Sequence, residues 1–394
     1  ALLPELTIRG LRVYDQQGRV ALALLLVQAR ITPRSLLRLG ADRVSVVAPD
    51  LVLRRDKVGR IFVGGIDWGL GEKGDEAAAD GFFSLSSFTV QGGRVLWIDE
   101  KRGAAPLALR EVDIAIRNRF GKHDFSLAAT PPADWGQRLA VQANLRGAWP
   151  TRHAGAWRSW QGTIYADFPL VDATHLGAYL DGQVQVQSGA GAVRSWAAFD
   201  RGRIASLALD VALARVALRL QPDLPPLELQ DLQGRLLLVQ QAQSWSLALK
   251  DAAFTTADGQ TWPMGLAQLD AQGSPEQWQA GQAQAGQLRA EKLALPVLAS
   301  LAQSLPMAAH LRQQLQGLSP QGEIAALQLS WQGDWQAPAQ YRAQGQLRGL
   351  ALAAQPAQVA ELVPENTIES IAIQAGLTQK NAKNNPENAV LEPL

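Results

Sequence analysis

The stretch SLALDVALARVALRL, residues 206–220, keeps Leu207, Leu209, Val211 and Leu213 in step on one side of an extended chain, then resumes that side at Val216, Leu218 and Leu220. Successive side chains of a strand point to opposite faces, so alternation of this kind marks a strand with one apolar and one wet face. The change of parity needs one extra residue near Ala214 or Arg215. That is the signature of a β-bulge, which bends a long strand and re-aims its apolar side.

The same period of two recurs along the chain. In REVDIAIRN, residues 110–118, Val112, Ile114 and Ile116 share one face and Glu111, Asp113 and Arg117 the other. In RLAVQANLRG, residues 138–147, Leu139, Val141, Ala143 and Leu145 oppose Arg138, Gln142, Asn144 and Arg146. These read as half-buried antiparallel strands. The longest apolar run, VALALLLV at 20–27, falls far short of the ~20 residues of a membrane-spanning helix and reads as another strand. Gly-containing triplets at 16–18, 91–93, 181–183 and 258–260 read as tight turns, which makes a meander the economical topology. Helical spacing is local: PRSLLRLG at 33–40, DATHLGAYL at 172–180, and a helical hairpin at 295–317 with Pro296 and Pro306 in first turns and Gly317 as a cap.

The expected fold is mainly β: an elongated, curved antiparallel sheet forming an open groove, with a few short helices. It is read as one continuous segment over 1–356, with sub-boundaries near 104 and 290. Residues 69–81 read as a flexible loop. Beyond 356 five of the seven asparagines cluster between Asn366 and Asn388, and 357–394 reads as a tail that is disordered or foreign to the fold.

Composition excludes several functions. Among 394 residues, 47% are hydrophobic, so a large surface can be buried, and a net charge of +1 gives no broad attraction to nucleic acid. With no cysteine there are no disulfides, thiolate nucleophiles or Cys-based metal sites. The opening ALLPELTIRG is not a signal peptide, and the chain reads as part of something longer.

Motifs for chemistry are sparse. Gly69, Gly71 and Gly74 match G-x-G-x-x-G, but the helix that follows reads as halted at Gly81 after less than two turns, too short for a dinucleotide site. His123 and Asp124 are neighbours on a strand and so point apart, which makes them hairpin residues and not a catalytic pair. His153, His175 and His310 are scattered, and neither a metal site nor a cofactor is expected. Glu111, Asp113 and Asp167 are the only carboxylates to name for a carbohydrate-active enzyme. Twelve Trp against four Tyr, with Trp97, Trp245, Trp331 and Trp335 at strand or strand-end positions, suit either core anchoring or contact with acyl chains or a membrane interface.

The opening stretch from LTIRGLRVYDQQGRV through PRSLLRL to LVLRRDKVGRIFVGG resembles the YhdP branch of the AsmA-like proteins of Gram-negative bacteria. LREVDIAIRNRFGKHDFSLAATPPADWGQRLAVQANLRG and LSPQGEIAALQLSWQGD are similar to it further on, and the resemblance covers residues 2–352. It implies an envelope protein anchored in the inner membrane by an N-terminal helix and extending into the periplasm as a β-groove. Such proteins support the outer-membrane barrier and move phospholipid. The sequence departs from that pattern in lacking the anchor helix, in its length and in its tail. The expected partners are phospholipid acyl chains, the inner membrane through that helix, and the remainder of the full-length protein, with no nucleic acid.

The residues expected to face lipid are Val112, Ile114, Ile116, Leu139, Val141, Leu145, Leu207, Leu209, Val211 and Leu213. The rival readings are a closed β-sandwich acting as an envelope scaffold and a carbohydrate-active enzyme.

Overall fold

The structure, a computed structural model, describes residues 5–14, 20–30, 42–71, 76–151, 153–177, 184–241, 243–263, 265–273, 285–307, 309–333, 339–353 and 389–390. The expected helix at 33–40 and the turns at 16–18 and 181–183 lie outside them, as do Trp335 and nearly all of the 357–394 tail.

Strands dominate. In chain order they are β1 (Glu5–Tyr14), β2 (Val20–Arg30), β3 (Arg43–Val47), β4 (Asp50–Arg55), β5 (Arg60–Val63), β6 (Ile66–Gly71), β7 (Ser87–Asp99), β8 (Leu107–Arg119), β9 (Lys122–Thr130), β10 (Leu139–Arg146) and β11 (Gln161–Asp172). They continue with β12 (Gln185–Asp200), β13 (Arg203–Arg219), β14 (Leu227–Gln240), β15 (Ser244–Thr256), β16 (Thr261–Trp262), β17 (Ala267–Gln272), β18 (Ala285–Ala294), β19 (Gln321–Gln332), β20 (Gln340–Ala351) and β21 (Ala389–Val390). The described helices are short: α1 (Glu76–Phe83), α2 (Ala173–Leu176), α3 (Leu295–Leu301) and α4 (Ala309–Leu318).

The chain divides into two compact units, residues 1–181 with 191–205, and residues 182–190 with 206–394. In the first, β1 pairs with β2, β2 with β3, and β7 to β11 follow as an antiparallel meander. In the second, β13, β14, β15, β17, β18, β19 and β20 pair in turn, all antiparallel. The sheet is open, since among the described residues the outer strands within each unit do not pair with each other.

The sheet is mixed, which corrects the antiparallel expectation at one place: β3 and β4 run parallel to β7. Parallel neighbours need a crossover connection. Here the β5–β6 hairpin and α1 supply it, a detour that alternation within single strands does not reveal.

Left-handed residues crease the first sheet along a line across the strands. Arg9 pairs with Leu26 and Leu11 with Leu24, leaving Gly10 (φ 67°) opposite Leu25, which turns out to 68% exposure. On the next strands Val47 pairs with Gln91 and Asp50 with Arg94, so Ala48 (φ 46°) and Pro49 lie opposite Gly92 (φ 61°) and Gly93. Then Gly93 pairs with Val112, next to Glu111 (φ 49°). A Cβ on Gly93 would lie 3.1 Å from Val90 Cγ1 and 3.2 Å from Pro49, so a larger residue there would press on both side chains. The triplet at 91–93 is therefore a bulge inside β7 and not a turn, while that at 258–260 does turn, with Gly259 at φ 83°.

The second unit repeats the device with Arg215 (φ 51°), Asp251 (φ 51°) and Ala326 (φ 50°). The bulge expected near Ala214 or Arg215 is thus present: both residues are exposed, Val216 is 2% exposed, and Ser188 Oγ donates to the Arg215 carbonyl at 2.8 Å. Each of Glu111, Arg215 and Asp251 is followed by a side chain driven inward: Val112, Val216 and Ala252.

The helical hairpin is also present, though Pro306 precedes α4 and does not sit in its first turn. Pro296 sits in the first turn of α3, which buries Leu295 and Val297, and Ser304 Oγ after it donates to the Pro226 carbonyl at 3.0 Å. Gly317 is not the cap, because α4 runs on to Leu318 and the left-handed residue is Ser319 (φ 40°), whose hydroxyl donates to Gln316 O. At 172–180, α2 forms over Ala173–Leu176, capped by Asp172 Oδ1 accepting from Thr174 N. The stretch 69–81 contains the end of β6 and most of α1, with 72–75 outside the described residues. The helix runs through Gly81 to Phe83, farther than the sequence implies, because Phe83 packs into an aromatic cluster.

A side chain at positive φ is strained, and a β-branched one most of all. Arg215→Gly is expected to leave stability equal or higher, and Arg215→Val to lower it by about 1–2 kcal/mol, as read from urea unfolding.

Candidate functional site

The first unit gathers its apolar side chains on one face. Across β8, β9 and β10, Ile114 pairs with Leu127 and Leu127 with Val141, while Ala129 pairs with Leu139. Val112 (1% exposed), Val95 and Ala129 are fully buried there, with Leu51, Leu53, Leu109, Ile114, Leu127 and Leu139 against them. Of the residues expected to face lipid in this unit, Val112 and Ile116 are buried and Ile114, Leu139, Val141 and Leu145 half-buried.

One end of this face is closed by aromatic packing. Phe83 of α1 meets Trp160 edge-on at 4.9 Å, and His123 stacks on Trp160 at 3.7 Å. Leu145 packs against this cluster. His123 is 5% exposed, with Nδ1 2.8 Å from Asn118 Oδ1, while Asp124 points outward. Burial, opposed by Asp124, lowers the His123 pKa to about 4. A neutral, buried, stacked imidazole is a packing residue, as the sequence implies.

The second unit carries the longer pattern. Leu207, Leu238, Leu247, Leu269, Leu288 and Leu329 pair in succession across β13, β14, β15, β17, β18 and β19, forming one row of leucines perpendicular to the strands. A second row runs Leu209, Leu236, Leu249, Ala267, Ala290, Leu327. Every leucine in both rows is half-buried, and so are Val211 and Leu213. At a strand spacing of ~4.8 Å the six-strand row spans about 24 Å.

Beyond the leucines lies a row of large and small residues: Trp245, Ala271, Gly286, Trp331 and Tyr341. Trp331 lies across Gly286, where a Cβ would collide with its ring. Trp245, Trp331 and Tyr341 line a cleft of about 840 Å³ whose other walls mix Ser, Gln, Asp270 and Arg342 with Val239 and small residues. Trp245 and Trp331 are each 8% exposed, as core anchors would be, and Trp97 is half-buried.

The opposite face is wet and laced with ion pairs between strands. Asp50 receives two hydrogen bonds from Arg94 at 2.5 and 2.7 Å, which hold its carboxyl below the usual range. Arg235 grips Asp210 in the same way, Arg138 reaches Asp113 at 2.7 Å, and Arg194 meets Asp167 at 3.2 Å. Glu111, Asp113 and Asp167, the carboxylates named for an enzyme, therefore sit on the solvent face in arginine pairs. Among the described residues no group of His, Asp or Glu is placed to hold a metal. His153 contacts Asp80 at 3.1 Å and His175 stacks on Trp135, well apart in the fold's elements. Gly69 and Gly71 belong to β6, which pairs antiparallel with β5 and so does not form the parallel unit of a dinucleotide site.

Leu232, Leu236, Leu238, Leu247 and Leu249 join the face without having been singled out by sequence. LLLV at 236–239 fits either parity, and only its pairing with β13 decides that Leu236 and Leu238 face inward.

A family model described as YhdP protein matches residues 1–392. The match runs through the stretch after 356, which corrects the expectation that this tail is foreign to the family. No curated protein and no solved structure matches the chain.

His123 makes stability pH-dependent. Its folded pKa lies below the ordinary value of 6.5, so its contribution is complete above pH 6.5 and is lost as pH falls toward about 4, where the unfolded chain takes up the proton first. The drop in thermal midpoint between pH 7 and pH 5 is expected to be smaller in His123→Phe than in the natural chain.

Proposed function

Because the chain belongs to the YhdP family, which points to an envelope protein of the AsmA-like group, we propose that its apolar sheet face binds phospholipid acyl chains and conducts lipid between the inner and outer membranes. The single observation that carries this reading is the half-burial of the leucine rows. A second sheet packed on that face would bury inward side chains as a core, as sandwiches do. A face left half-open instead offers ~0.8 kcal/mol for each CH₂ it takes from water. The ~24 Å row exceeds the ~15 Å hydrocarbon depth of one leaflet, so an extended acyl chain fits within it.

The reading needs no catalytic group. No helix among the described residues is long and apolar enough to cross a membrane. A periplasmic position, with attachment to the inner membrane through an N-terminal helix and continuation into the rest of a longer protein, belongs to the same proposal.

The test is mass spectrometry of organic extracts of the purified chain, against a mock purification. Stoichiometric phospholipid is expected, falling at least about fivefold in Leu207→Asp/Leu247→Asp with the β-sheet circular dichroism intact, since a charge on an apolar face costs several kcal/mol to cover. Lipid retained at the natural level in that folded variant would sink the assignment of this face.

A further inference from the structure

The tip of the β8–β9 hairpin has a different chemistry from either sheet face. Phe120 (φ 50°) and Gly121 (φ 72°) form its two-residue turn. Phe120 is 58% exposed and Trp149, from the loop after β10, is 62% exposed, and the two rings meet edge-on at 5.4 Å. Trp149 is held there: Gly147 N donates to Gly121 O at 2.8 Å, and a Cβ on Gly121 would lie 2.9 Å from Trp149 Cβ. Two large aromatic rings are thus braced against each other and presented outward.

Directly behind them, Arg119 pairs with Lys122 and Lys122 with Arg146, placing three cations on one rung of three adjacent strands. All three are exposed, and none forms an ion pair among the described residues. Arg119 lies over the Phe120 ring at 5.3 Å. The next rung on this face holds Arg117, Asp124 and Asn144, so one acid stands among four cations. Like charges directly opposite one another repel, and at Arg94, Arg138 and Arg194 the wet face of this unit sets carboxylates against its arginines. Here the sequence leaves the repulsion standing.

We propose that this tip docks on a membrane surface bearing anionic phospholipid headgroups, with Phe120 and Trp149 seated in the interfacial zone and Arg119, Lys122 and Arg146 against the phosphates. Amphipathic rings partition to the headgroup level, and a basic cluster is drawn to an anionic leaflet. The rung's unbalanced charge selects an anionic surface over a neutral one. The site is distinct from the leucine face and does not depend on lipid lying there.

The test is co-sedimentation of the full chain with vesicles of phosphatidylcholine containing about 30% phosphatidylglycerol, beside pure phosphatidylcholine. The natural chain is expected to sediment with the anionic vesicles and to release at about 0.5 M salt, where screening shortens to a few ångströms. Lys122→Glu/Arg146→Glu is expected to weaken binding at least about tenfold, and Phe120→Ser/Trp149→Ser severalfold, with circular dichroism unchanged since all four side chains are exposed. Leu207→Asp/Leu247→Asp is expected to sediment as the natural chain does, which separates this proposal from the lipid-binding face. Equal binding to neutral vesicles, natural binding by either tip variant, or capture of soluble polyglutamate with no binding to vesicles would overturn it.

Discussion

Strand pairing that brings leucine opposite leucine, six strands in succession, is the constraint on which the second unit depends. A one-residue slip in any of these pairings turns that strand's whole apolar set to the wet side. The register is therefore fixed by side chains far apart in sequence: Leu207 and Leu329 lie at opposite ends of one row. The ion pairs of the other face reinforce the same register from outside. Arg235 meets Asp210 only when Leu236 meets Leu209. Such exposed pairs add little stability one by one, but they penalise the alternative alignment.

The bulges answer a second demand. A flat strand keeps its apolar side in one plane for its whole length, whereas these strands of up to 17 residues must turn that side partway along. Residues at φ near 50° do so at Glu111, Arg215 and Asp251, and each next side chain is among the most buried in its strand. In the first unit the crease passes from β1 to β8 with glycine at positive φ in β1 and β7 and with Ala48–Pro49 dividing what would otherwise be one strand into β3 and β4. Backbone strain at these points is offset by what the bend covers.

Much of this was legible in the residues. Strict alternation in β8, β10 and β13 revealed the two faces and even the bulge at Arg215, because apolar and polar residues there differ plainly in kind. Legibility failed where the contrast did: LLLV at 236–239 and VALALLLV at 20–27 fit both parities, and Leu25 is in fact exposed. It failed again where the decisive partner is distant, as when Trp160 extends α1 beyond Gly81, or when β7 returns parallel to β4 after a detour. The cation rung was invisible for the same reason, since Arg119, Lys122 and Arg146 become neighbours only through pairing.

Because the leucine rows run perpendicular to the strands, a hydrocarbon resting on them meets nearly the same surface each time it advances by one strand. Such a surface is a shallow corrugation with a period of ~4.8 Å and no single deepest well. Friction on it is set by the small difference between a leucine and the alanine or glycine beside it, not by the total contact. On the proposal that acyl chains lie there, a guest would be bound tightly in sum and weakly against displacement, so that retention and mobility would cease to oppose each other.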